Sequence, residues 1–127
     1  MIRLRVILLS AATAFGVSSA AAQPAAAPVQ TIQVFSFGYT PKPIQLAADR
    51  PVTLSFVNQA NDGHDFTARE FFAAAKIVSG AAPKGEVELK GHETKTITLV
   101  PRAGTYNAHC SHFMHSTMGM HTQIVVR

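Results

Sequence analysis

The chain reads as all-β, a β-sandwich of seven or eight short strands with one brief helix. Short runs alternate apolar with polar residues, turn-forming clusters separate the runs, and one segment alone has helical spacing. The clearest run is "PVTLSFVN" at 51–58, which sets Val52, Leu54 and Phe56 against Thr53 and Ser55, the period of a strand with one face in a core. In chain order, strands are expected at 29–37, 44–48, 51–58, 86–90, 94–100, 104–110 and 121–126. The turn signals are "GYTPKP", "ADRP", "NQANDG", "SGAAPKG" and "PRAG". "AREFFAAAKI" at 68–77, with Phe71 and Phe72, is the expected helix lying against the sandwich.

The first 22 residues stand apart. Arg3 and Arg5 precede an apolar run from Val6 to Val17, and small residues follow, with Ala20, Ala21 and Ala22 offering a cleavage site. The run falls short of the roughly 20 apolar residues that span a bilayer. Residues 1–22 are therefore expected to be a signal peptide, cleaved after Ala22, leaving a periplasmic protein with no membrane attachment. Residues 23–30, rich in Pro and Ala, form a flexible lead-in to one folded domain over 31–127.

Cleavage also changes the charge. Eleven Lys and Arg face seven Asp and Glu, and losing Arg3 and Arg5 leaves nine against seven, a formal charge of +2. No basic run remains, and the aromatic and basic interleaving of a nucleic-acid surface is missing, so nucleic acid is not an expected partner. An unbroken small domain is expected to be a monomer.

An oxidising compartment gives the one cysteine its meaning. A disulfide needs two, so Cys110 must be buried, reactive or bound to something. Around it, "HCSHFMHSTMGMH" at 109–121 holds four histidines and three methionines. On the strand at 104–110, period two puts Tyr106, Ala108 and Cys110 on one face and Thr105, Asn107 and His109 on the other. Cys110 then points inward at the strand's end, and most of the cluster lies on a loop before the last strand.

One thiolate, two imidazoles and a weak axial thioether are the donors of a blue copper centre. The loop offers Cys110, His115 and Met120 at the spacing CxxxxHxxxxM. The second histidine must come from elsewhere, and His64, after the polar turn in "NQANDGHDF", is the best placed. Two other registers are open, Met118 for Met120 and His112 for His115, while Gly119 suits a turn just before Met120. His109, His112, Met114, Met118 and His121 read singly as surface or packing, with a second copper site left open, and His92 reads as exposed in a turn. Structural zinc suits the set less well, since Met is a poor zinc ligand. A dinuclear copper centre needs two bridging thiolates, c-type haem attachment needs CxxCH, and a Cys–His hydrolase would need a substrate loop that is not recognisable. No catalytic residues are assigned and no enzymatic activity is expected.

The segment around His64, together with "GTYNAHCSHFMHSTMGMHTQIVV", resembles the cupredoxins, small blue copper proteins of the plastocyanin and pseudoazurin kind. The resemblance runs from "FSFGYTPKPIQLAADRPVTLSFVN" to the C-terminus and rests on the donor order His, Cys, His, Met. It implies a Greek-key sandwich, one mononuclear type 1 copper and single-electron shuttling, with His64, Cys110, His115 and Met120 as ligands. Two departures stand out. Phe113 and Met114 occupy the stretch where the family usually has a Gly just before the second histidine and often a Pro nearby, and Asp65 stands where Asn is common. Asp65 is expected to hydrogen bond near Ser111, tying the two ligand segments together, and its charge would lower the reduction potential.

Two roles follow. A periplasmic electron carrier would pass electrons through the His115 edge to transient redox protein partners, with Phe113, Met114 and Met118 as an apolar docking patch. A copper chaperone or storage protein would instead use the surplus His and Met as a path for soft Cu(I).

Overall fold

A computed structural model describes residues 16–23 and 25–127, and these form ten strands and one α-helix. In order they are β1 (Val29–Phe35), β2 (Gly38–Thr40), β3 (Ile44–Leu46), β4 (Val52–Asn58), β5 (His64–Thr67), α1 (Arg69–Ala74), β6 (Lys76–Ser79), β7 (Glu86–Leu89), β8 (Thr94–Val100), β9 (Gly104–His109) and β10 (His121–Val126). Residues 1–15 of the expected signal peptide lie outside the described residues, and the remainder, 16–22, is exposed without regular structure. Among the described residues no helix is long and apolar enough to cross a membrane.

The strands stack as two five-stranded sheets, ordered β2-β1-β4-β8-β6 and β3-β10-β9-β5-β7. Only the β1–β2 and β9–β10 links stay within a sheet, and every other link crosses to the facing one. Alternation supplies the inner layers. Val52, Leu54 and Phe56 of β4, Ile97 and Leu99 of β8, and Ile32 and Val34 of β1 are buried between neighbours that are not. From the facing sheet come Val87 and Leu89 of β7, Ala108 of β9, and Ile124 and Val126 of β10. Phe66 of β5 sits at the centre, tilted against Phe56 at 4.9 Å between centroids and edge-on to Tyr39 at 5.3 Å.

The all-β sandwich is the architecture read from the sequence, with three more strands than the seven ranges expected. β2 lies in a segment read as a turn, yet its Tyr39 is buried and its hydroxyl donates to the Asp65 carbonyl at 2.5 Å. β5 is buried at all four positions, so no alternation marks it. β6 is an exposed edge strand with no buried face, and it takes over where the helix was expected to continue. Only Phe71 and Phe72 anchor α1, and past Ala74 the β-branched pair Ile77 and Val78 turns to edge pairing with β8. The expected lead-in is also shorter, because Val29 and Gln30 already pair in parallel with Thr53 and Leu54.

Phe66→Ala is expected to destabilise the metal-free domain by about 3–5 kcal/mol in urea unfolding, since it empties the centre of the core. Val78→Ala on the exposed edge should cost less than about 0.5 kcal/mol.

Candidate metal centre

Asn58, at the end of β4, shapes the turn that delivers the first histidine. Its buried amide donates to the carbonyls of Asp62 at 2.8 Å and Lys90 at 3.0 Å, and its oxygen accepts from the Ala60 N–H at 3.0 Å. The turn packs so closely on Gly91 that a Cβ there would stand 2.0 Å from the Asn61 carbonyl oxygen. His64 follows at the start of β5, sharing with Phe66 the face turned to the core.

The other side chains come from the β9–β10 hairpin. Burial along β9 alternates as expected, with Ala108 and Cys110 inward, His109 outward, and Tyr106 only half-buried. The Cys110 N–H donates to the Met120 carbonyl at 3.0 Å, and the Met120 N–H donates to the His115 carbonyl at 3.0 Å. Between them Gly119 takes φ +101°, a conformation L side chains rarely adopt, and this turns the chain into buried Met120.

At the end of the sandwich His64 Nδ1 stands 3.2 Å from His115 Nδ1, and Cys110 Sγ stands 3.5 Å from the same nitrogen. The three residues each bring one donor atom within 4.8 Å of the others. Donors bonded to one ion at about 2.0–2.3 Å, spread trigonally or tetrahedrally, stand roughly 3.3–3.8 Å apart, so this trio suits a single ion. The set also suits a soft or borderline metal, with one sulfur and two imidazoles, and Met120 on the same loop is fully buried. His64 Nε2 is buried without a hydrogen-bond partner among the described residues, so Nδ1 carries the ring's polar contacts.

Asp65 braces the arrangement. Fully buried, it accepts from the Ser111 N–H at 2.9 Å, from the Ser111 hydroxyl, and from the Thr67 hydroxyl at 2.9 Å. Its own N–H donates to Cys110 Sγ at 3.5 Å, joining the segment after His64 to the thiol itself.

The alternative residues fall on the rim. His112 also brings a nitrogen near Asp65 and Cys110, but its Nε2 lies 3.0 and 3.2 Å from the two Glu88 oxygens. Met118 is 58% exposed where Met120 is 0%. His92 is exposed in the turn after β7, its Nε2 2.8 Å from Asn61 Oδ1. Sequence reasoning missed Phe37, edge-on to the His115 ring at 5.3 Å, as well as Thr67, Tyr39 and Glu88. Thr67 lies three residues after His64 on β5, whereas Phe37, Tyr39 and Glu88 are distant from the donors in the chain and are brought to them by the topology.

Electrostatics favour the uncharged forms while no ion is bound. Burial holds the His64 imidazole below its usual range, and the neighbouring His115 and His112 push the same way. Burial also pushes the Cys110 thiol up, against backbone N–H groups of Asp65 and His112 that favour the thiolate.

Residues 6–126 match the family described as the cupredoxin-like domain, a match that begins inside the segment expected to be a leader. A comparison with curated proteins found no match. Among solved structures, auracyanin B is similar at 20% identity and a TM-score of 0.60, over 84% of this chain and 93% of that one. Dithionite-reduced auracyanin from the photosynthetic bacterium Roseiflexus castenholzii is similar at 19% identity and a TM-score of 0.59, over 82% and 99%. A laccase from Pediococcus acidilactici is similar at 15% identity and a TM-score of 0.62, over 84% of this chain but only 28% of the laccase. At these identities the likeness is one of fold.

Asp65→Ala is expected to cost about 2–3 kcal/mol in urea unfolding, since it strips partners from the Ser111 N–H and two hydroxyls, whereas Asp65→Asn keeps an acceptor and should cost less. Stability of the metal-free chain should fall with pH. The unfolded chain protonates His64 near the ordinary value of 6.5, while the folded chain does so only at lower pH, so acid favours unfolding below that value. His64→Gln should flatten the urea midpoint between about pH 7 and 5, and an unchanged slope would remove His64 as the cause.

Proposed function

We propose that this chain, which belongs to the cupredoxin-like family, is an exported single-electron carrier whose His64, Cys110, His115 and Met120 hold one type 1 copper ion. The observation that carries the reading is the meeting of His64 Nδ1, Cys110 Sγ and His115 Nδ1 within 4.8 Å at one end of the sandwich, with Met120 buried on the same loop. Copper supplies the one-electron couple when bound. The chain's own part is to keep these donors in place and dry: His64, Cys110 and Met120 are buried, Asp65 fixes the segments after His64 and Cys110, and two sheets back the site. The fold it shares with a dithionite-reduced auracyanin supports the same reading.

His115, only partly buried, offers the edge through which electrons would pass, and Phe37 packs on its ring. Phe113 at 89% exposure and Met114 and Met118, each at least half exposed, give the same loop an apolar surface suited to brief docking of redox partners. In this reading residues 1–22 are the export signal, 31–127 the functional domain, and the periplasm its compartment. The chain corresponds to under a third of the laccase it is similar to, so the laccase's activity is not carried over to it, and no residue is assigned a catalytic role.

Copper(II) added to the mature protein is expected to give an intense visible thiolate-to-copper band at one copper per chain, bleached by a reductant and restored by an oxidant. Cys110→Ser should abolish the band, and its survival would remove Cys110 from the ligands. Colourless binding of two or more Cu(I) per chain, with no stable oxidised form, would turn the assignment to copper delivery or storage, for which exposed Met114 and Met118 are suited.

A further inference from the structure

His109 and His121 flank the donor motif in sequence, point away from it in space, and have no part in the centre described above. They are direct cross-strand partners on β9 and β10. The neighbouring Cys110 and Met120 form a hydrogen-bonded pair, Cys110 N–H to Met120 carbonyl at 3.0 Å. Pairs alternate along an antiparallel ladder, so His109 and His121 occupy a non-hydrogen-bonded pair, where facing side chains stand closest, with Cα atoms about 4.5 Å apart. Both residues are exposed, and neither imidazole has a hydrogen-bond or ion-pair partner among the described residues. Rotation about χ1 is therefore open to both rings.

The two histidines line one groove of about 550 Å³ on the outer face of the sheet, with Asn107 and Gln123, the next outward pair, beside them and Lys42 and Pro43 at the rim. No carboxylate lines this groove, and Lys42 adds a positive charge. Hard cations such as Ca²⁺ and Mg²⁺, which favour carboxylate oxygens, find amide and carbonyl oxygens in it instead, and Glu70 lines the adjoining groove that shares Asn107 and His109 beside Arg69. A borderline ion bonded through neutral imidazole nitrogens suits the groove better, with the Asn107 and Gln123 amide oxygens as weak neighbours.

We propose that His109 and His121 form a second, outward-facing chelate for one divalent transition-metal ion, copper(II) foremost in the order of affinities. Each ring gives one nitrogen lone pair and keeps its other nitrogen protonated, so no redox step is involved. The ion would sit on the opposite face of the same two strands from the inner cluster. The proposal stands apart from the electron-carrier reading, because it depends on neither the inner donors nor their metal.

The test is calorimetric titration of the mature chain with NiCl2, alongside variants that separate the two sites. Either His109→Asn or His121→Asn should weaken one Ni²⁺ per chain at least tenfold, and combining them should add little, because one ring alone does not chelate. Cys110→Ser should leave that ion bound, whatever happens at the inner cluster. In wild-type protein, substoichiometric Ni²⁺ should broaden the ring signals of His109 and His121 together in NMR spectra. Unchanged binding in both outer variants, broadening of one ring alone, or an equal loss on His92→Asn would overturn the site.

Discussion

The meeting of the Asp65 carboxylate with Ser111 governs the geometry at this end of the sandwich. A buried carboxylate must be satisfied, and here its partners come from two segments far apart in sequence. Each segment carries a candidate donor immediately before its half of the brace: His64 before Asp65, and Cys110 before Ser111. Neither can drift without stranding a buried charge, so the distance between imidazole and thiol is set by a contact that involves neither. The Asp65 N–H on Cys110 Sγ and the Asn58 bonds around the preceding turn add to the same restraint.

How much of the fold was legible follows from where strands sit. β1, β4, β7, β8, β9 and β10 each keep one side against the core and the other nearer solvent, and the resulting alternation is plain in the sequence. The pattern fails where both faces are covered or neither is. β5 is buried throughout and reads as a polar turn with a phenylalanine, while β6 is exposed throughout and reads as the tail of a helix. β2 is too short to alternate and lies among turn residues.

The site divides along a similar line. Cys110, His115 and Met120 stand out because donors of fitting chemistry recur at close spacing, and His64 because a polar turn leads to it from a clear strand. His115 is favoured over His112 by the resemblance alone, and the structure adds that Glu88 on β7 sits against the His112 ring. Phe37 was invisible in the sequence: a residue of the β1–β2 turn reaches His115 only once the sheets are stacked.

The β9–β10 link is one of only two that stay within a sheet, and it carries three of the four candidate donors on one stretch of chain, 110–120. An unfolded chain therefore keeps Cys110, His115 and Met120 on a short tether that a soft ion can grasp. Binding to the unfolded state subtracts from the stabilisation that a metal gives the native one. The same tether lets an ion be captured before the sandwich closes. In the proposed copper reading, what folding then adds is His64, brought in from the other end of the Asp65 brace, and the exclusion of water, which would concentrate the native state's advantage in affinity in one long-range imidazole and its dry surroundings.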